Sequence, residues 1–139
     1  MIIDAGANVG FFTCWAAASN PRAHVIAVEP SQGNYAPLLA HLGRNGLETR
    51  VTPFRLALSS TAGTVWLSER SSASQMHHLT EDNRPGATGV QAISLPDLLA
   101  RLPYERIDFL KMDIEGSEYP VLMSATADHL APVRRLTVE

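Results

Sequence analysis

An acidic residue followed by closely spaced glycines, Asp4-Ala5-Gly6-Ala7-Asn8-Val9-Gly10-Phe11-Phe12, stands between the short apolar run Met1-Ile2-Ile3 and an alanine-rich stretch with helical character. Few local patterns constrain a fold more. A strand that ends in an acid and turns through glycines into a helix is the opening of a strand-helix-strand unit in a parallel sheet. Such a turn brings backbone N–H groups and a helix N-terminus to one point, which suits a polar cofactor. On this reading Asp4, Gly6, Asn8 and Gly10 are candidate cofactor residues. The plainer alternative is a tight connection that needs residues without a Cβ. The letters depart from the dinucleotide pattern Gly-x-Gly-x-x-Gly, since Asp4 leads and Asn8 replaces a glycine.

A second acid strengthens the cofactor reading. Val25-Ile26-Ala27-Val28 is a β-branched apolar run that ends at Glu29-Pro30, as a buried parallel strand does. In a strand-helix-strand unit, an acid at the tip of the neighbouring strand can accept hydrogen bonds from two ribose hydroxyls. The alternative for Glu29 is a helix-capping or solvated loop acid.

The chain of 139 residues, 45% hydrophobic and 18% charged, fits one domain over 1–139 and hardly two. Its net charge is −3, and its ten arginines and one lysine are scattered, which argues against a nucleic-acid-binding face. The lone Cys14 can form neither an internal disulfide nor a metal cluster and reads as a packing residue. No apolar run has membrane-spanning length and no leader opens the chain, so a soluble cytoplasmic protein is expected.

Strands and helices alternate. Strands are expected at 2–4, 25–29, 50–58, 107–112 and 136–138, with Pro53 favouring an edge position for the third. Helices are expected at 11–19, 35–44, 95–102 and 119–130. Thr64 to Leu67 and Val90 to Ser94 read as short strand-like pieces. They flank Ser68 to Gly89, a stretch without clear periodicity whose length suggests a functional loop or lid. The pattern predicts an α/β fold, a mostly parallel sheet with helices on both faces.

Lys111-Met112-Asp113-Ile114-Glu115-Gly116-Ser117-Glu118 is the second constellation. Side chains alternate along a strand, so Lys111, Asp113 and, if extended geometry persists, Glu115 project to one side. They would do so at the carboxyl end of the sheet, where open α/β folds place ligands. Asp113 and Glu115 are therefore candidate catalytic groups. The alternative is a Lys-Asp ion pair beside an acidic first helical turn, with Ser117 as N-cap.

Together these pieces resemble the FkbM-like S-adenosylmethionine-dependent methyltransferases. The resemblance rests on Asp4 to Phe12, Glu29-Pro30, Asn45-Gly46-Leu47, Ala57-Leu58-Ser59, Gly63, Ser94 to Leu99, and the Lys-x-Asp-x-Glu-Gly-x-Glu run from Lys111 to Glu118, in family order. It implies a Rossmann-like class I methyltransferase fold, S-adenosyl-L-methionine as cofactor, and methyl transfer to a small-molecule or sugar-like hydroxyl. Carried onto these residues, it implies that Gly6, Asn8 and Gly10 hold the methionine end, Glu29 the ribose, and Ala57 and Leu58 one side of the adenine. Asp113 or Glu115 would be the base or the acceptor-orienting group, with His77 and His78 as the next candidates. His24, His41 and His129 lack the spacing for a shared metal site, and no metal is expected. Compared with the family, the chain reads as truncated at both ends, without a preceding helix and without the terminal antiparallel strand pair. Two rival readings remain: a nicotinamide-dependent oxidoreductase on the same fold, and a non-catalytic cofactor-binding fragment.

Overall fold

Apolar residues of alternating parity leave the first strand in two directions, and the architecture follows from that. In a computed structural model describing residues 1–69, 77–80 and 85–139, β1 (Ile2–Ala5) is the centre of a five-stranded parallel sheet. Its neighbours are β2 (Val25–Val28) and then β3 (Val51–Phe54) on one side, and β8 (Phe109–Met112) and then β9 (Leu136–Val138) on the other. Ile2, Val25, Ala27 and Val51 face α1 (Phe11–Ser19) and α2 (Gln32–Arg44), packing on Ala16, Ala17, Leu38 and Leu42. Ile3, Ala5, Ile26, Val28, Leu110 and Met112 face the other layer, with Leu95 and Leu98 of α3 (Leu95–Arg101) and Val121 of α4 (Glu118–Met123). Each fully buried leucine or isoleucine contributes about 1.5 to 3 kcal/mol, so the two layers fix the sheet from both sides. This is the expected α/β architecture with helices on both faces. β9 follows β8 at the margin, and no antiparallel strand pair extends the sheet among the described residues.

Pro53 lies on β3, which is an edge of this sheet, where its missing N–H removes no ladder bond to a further strand. The run 50–58, expected as one strand, divides between two sheets. After β3 the chain breaks at Arg55-Leu56, and β4 (Ala57–Ser59) pairs in parallel with β7 (Ala87–Ser94). β5 (Gly63–Glu69) runs antiparallel to β7 and to β6 (His77–Thr80), completing a four-stranded sheet in the order β4-β7-β5-β6. The lid expected at 68–89 is thus contradicted where it is described, because Ser68, Glu69, 77–80 and 87–89 are strand. Residues 70–76 and 81–84 of that stretch lie outside the described residues. The strand-like pieces expected at Thr64–Leu67 and Val90–Ser94 lie within β5 and β7, but their partners, such as Val65 and Val90, are far apart in sequence, so local periodicity carried no sign of how they pair.

The helix expected at 119–130 is two helices, α4 and α5 (Ala127–Leu130). Thr126 breaks it by capping α5: its hydroxyl accepts from the His129 N–H at 3.3 Å while His129 Nδ1 accepts from the Thr126 N–H at 3.1 Å. No helix is long and apolar enough to cross a membrane among the described residues.

Candidate functional site

At the carboxyl ends of β1, β2 and β8 the three following turns meet around one cavity, the place where a doubly wound sheet binds ligands. Gly6 and Asn8 come from the turn after β1, Glu29 and Pro30 from the β2–α2 connection, Asn34 from the first turn of α2, and Asp113, Ile114 and Glu115 from the turn after β8. Leu58 and Leu67, from β4 and β5, close an apolar side. The structure therefore brings six of the residues singled out in the sequence (Gly6, Asn8, Glu29, Leu58, Asp113 and Glu115) to one cavity. Asp4, Gly10 and Ala57 are not in its wall.

The glycines fit the plainer alternative, a tight connection that needs residues without a Cβ. Gly6 has φ +80°, and a Cβ there would lie 1.7 Å from the Asp113 carbonyl oxygen. Gly10 has φ +89°, and a Cβ there would lie 2.4 Å from Leu38 Cδ1. Both positions are required by contact within the protein, one against backbone and one against the core side of α2. The N–H groups of the turn itself are engaged within the protein. Gly6 and Ala7 donate to the Val28 carbonyl, Gly10 donates to the Ala7 carbonyl, Asn8 donates to Glu29 Oε2, and Val9 donates to Asn8 Oδ1. The Val9 bond is exposed and local, to its neighbour's side chain, whereas the other four donors tie the turn to Val28, Ala7 and Glu29.

Glu29 is buried and ties two turns together: besides Asn8, the Ser31 N–H donates to its Oε1 at 2.9 Å, and the Asn34 amide lies at 3.4 Å. Its carboxylate thus orders the start of α2, the capping role weighed in the sequence, and at the same time lines the cavity.

Asp4 is fully buried behind the wall. The Thr13 hydroxyl donates to its Oδ2 at 2.5 Å, and Oδ1 makes no hydrogen bond but lies 3.7 Å from Lys111 Nζ. Burial pushes this carboxyl up to about 6, with the Thr13 hydrogen bond and the Lys111 ammonium opposing. Lys111 in turn donates to Asp113 Oδ2 at 3.1 Å and lies over the Phe12 ring, 5.7 Å from its centroid. The Lys-Asp ion pair weighed in the sequence is present, and Asp113 nevertheless faces the cavity.

A carboxyl whose native pKa lies above its unfolded value near 3.9 binds its proton more tightly when folded. Its contribution to stability is full below that unfolded value and is lost as pH rises through about 6. Asp4→Asn cannot titrate. Between pH 7.5 and pH 5 the wild type should therefore gain about 1 kcal/mol relative to Asp4→Asn in denaturant unfolding. Identical pH dependence of the two proteins contradicts the buried titration.

Glu115 does not continue the strand. β8 ends at Met112, and Glu115 and Gly116 take φ of +56° and +94° in a turn. Asn8, with φ +51°, is the other non-glycine residue with positive φ among the described residues, and it lines the same cavity. Strain gathered at one cavity is a mark of a functional site. Asn34, Leu67 and Ile114 were not singled out in the sequence. Only tertiary pairing brings Leu67 here, whereas Asn34 follows Glu29-Pro30 closely enough that the strand tip could have drawn attention to it. His77 and His78 lie on β6, but their side chains are outside the described residues. His24, His41 and His129 bond separately to Thr52, to the Val9 carbonyl and to Thr126.

A parallel sheet of order β3-β2-β1-β8-β9 with helices on both faces and acids at its carboxyl end is a Rossmann-like α/β domain. A model of the methyltransferase FkbM domain matches residues 4–135, and the chain belongs to that family. It is 30% identical over 168 residues to the methyltransferase sdnD of Sordaria araneosa, covering 99% of this chain and 65% of that protein. It is 26% identical over 162 residues to methyltransferase 1 of Beauveria bassiana, covering 99% and 63%. The chain thus spans just under two thirds of these relatives' length. The crystal structure of a methyltransferase FkbM from Methylobacillus flagellatus superposes with a TM-score of 0.68 at 18% identity, covering 99% of this chain and 32% of that one, and shares the fold.

Proposed function

We propose that the cavity binds S-adenosyl-L-methionine and that the protein methylates a hydroxyl oxygen of a small-molecule or sugar-like acceptor. The observation that carries this reading is the balance of donors and acceptors in the wall. Three acids, Glu29, Asp113 and Glu115, line the cavity, while the N–H groups of Gly6 and Asn8, the first-turn residues in its wall, donate to the Val28 carbonyl and to Glu29 Oε2. Such a wall suits a ligand that donates hydrogen bonds and carries positive charge: a ribose diol, an ammonium and a sulfonium. It is ill suited to the pyrophosphate of a nicotinamide dinucleotide, which needs free N–H groups or cations. Leu58, Leu67 and Ile114 supply the apolar surface for a base.

The bound donor supplies an activated methyl group, so what remains for the protein is positioning, proton removal and exclusion of water. Lys111 holds Asp113 Oδ2, which leaves Oδ1 to accept the proton of an acceptor hydroxyl. Leu58 and Leu67 keep water from the apolar side. Glu29 receives the ribose hydroxyls, with the long Asn34 contact the one most readily exchanged.

The test begins with Glu29→Ala. Hydrogen bonds to a charged acceptor are the strong ones, and this variant should weaken S-adenosylhomocysteine binding by about 2 to 3 kcal/mol in calorimetry on folded protein. Unchanged affinity removes Glu29 from the site. Transfer of labelled methyl from the donor into extract metabolites then identifies the acceptor, and labelling confined to nucleic acid or protein contradicts the small-molecule reading.

A further inference from the structure

The last acid of the Lys-x-Asp-x-Glu-Gly-x-Glu run has so far no part in the site. Glu118 opens α4 and is buried, 7% exposed, yet it does not line the cavity. Its Oε1 accepts the backbone N–H of Ile114 at 2.7 Å, reaching back over four residues. The bond spans Glu115 and Gly116, the two successive residues with positive φ. A non-glycine residue in that region costs about 1 kcal/mol or more and persists only where its surroundings over-determine it. Nothing else in the turn does so: Gly116 has open space where a Cβ would stand, and Ser117 makes no side-chain capping bond. Beyond the turn, the contact between Gly6 and Asp113 fixes only its first residue. Among the described residues, the Glu115 carboxylate makes no hydrogen bond or ion pair, and the residue lines the cavity. A strained backbone that presents an unpartnered carboxylate contributes nothing to stability, and its use lies in what the cavity receives.

We infer that Glu118 is a positioning residue: by holding the Ile114 N–H it locks the 114–116 turn in the left-handed form that aims the Glu115 carboxylate into the cavity, where Glu115 selects ligands carrying positive charge. This rests on the reading of the cavity as a methyl-donor site, and two probes separate the two claims. S-adenosylhomocysteine has a neutral thioether at its centre, whereas sinefungin carries an amine-bearing carbon there, cationic at neutral pH. Calorimetry should show that the wild type prefers sinefungin. Glu115→Gln and Glu118→Ala should each cut that preference about tenfold or more while changing S-adenosylhomocysteine affinity by less than about threefold. Glu118→Gln, which keeps an acceptor oxygen on the same frame, should retain most of it. Amide exchange gives a readout without ligand: the Ile114 N–H should lose protection in Glu118→Ala and keep it in Glu118→Gln and Glu115→Gln.

A purely structural Glu118 would lower the melting temperature and weaken both probes alike. An undiminished preference for sinefungin in folded Glu118→Ala, or unchanged Ile114 exchange, overturns the positioning role alone. Binding of neither probe by the wild type overturns the donor-site reading and the positioning role with it. Glu115→Gly adds a check on the strain: it should melt at or above the wild-type temperature yet lose the preference for the cation, and a clearly lower melting temperature contradicts the account of the turn.

Discussion

Gly6→Ala should leave almost no folded protein. The new Cβ would sit 1.7 Å from the Asp113 carbonyl oxygen and 2.7 Å from its carbon, and neither atom belongs to a flexible side chain that could swing away. The Asp113 N–H donates to the Ala5 carbonyl at 3.0 Å and Gly6 itself donates to the Val28 carbonyl at 2.9 Å, so both sides of the contact are tied into the sheet. Relief requires separating β1 from β8 at the edge of the cavity, in addition to placing alanine at φ +80°. Together these should cost about 4 kcal/mol or more, a large share of the 5 to 15 kcal/mol that stabilises an ordinary domain. Gly116→Ala is the matched control. Its φ is +94° but no atom lies within 4 Å of the added carbon, so only the backbone strain remains, about 1 to 2 kcal/mol. Soluble yield and thermal unfolding by circular dichroism separate the two. A Gly6→Ala protein that melts within a few degrees of wild type would mean that the two turns are not in contact.

Asp113→Asn should retain the fold and lose turnover by about a hundredfold or more, since the amide keeps the shape and cannot take a proton. Cofactor affinity should stay nearly constant. Asp113 is one of two carboxylates near Lys111, the other being the buried Asp4, so the ammonium keeps a counter-charge when Asp113 is neutralised. That makes a large stability loss unexpected, and it separates the proton-accepting role from the ion-pair role. If Asp113→Asn instead melts several degrees lower while each folded molecule turns over at the wild-type rate, Asp113 is a structural partner of Lys111. Glu115 then becomes the next candidate. Rates should be compared with a longer form of the chain as well, because the relatives extend over half as far again.

Much of the sheet was legible because its signals are local. The run from Asp4 to Phe12 marked the end of β1 and the start of α1 at Phe11, and β9 ran over 136–138 as expected. Pro53 announced an edge strand through its missing donor. Of the second sheet, the strand-like pieces at Thr64–Leu67 and Val90–Ser94 were legible but their pairing was not, because β5 and β7 find each other across a stretch with no periodicity of its own and the break at Arg55-Leu56 carries no Gly or Pro. The same limit applies within the site. Asp113 and Glu115 could be picked out as acids at a strand end, but the alternation that grouped them stops at Met112, where the chain turns through Glu115 and Gly116. The glycines of the first turn were conspicuous for a reason that only packing reveals: Gly6 makes room for Asp113 and Gly10 for Leu38. Asp4 led the motif, yet its carboxylate points at Thr13 and Lys111 behind the wall.

The acceptor-rich cavity at the tips of β1, β2 and β8 should take a methyl donor in preference to a dinucleotide. Titration calorimetry of the wild-type chain with S-adenosylhomocysteine and, in parallel, with the oxidised nicotinamide dinucleotide tests it most directly. Saturable one-site binding of S-adenosylhomocysteine with no heat of binding from the dinucleotide is the expected result. Dinucleotide binding without S-adenosylhomocysteine binding would contradict the account.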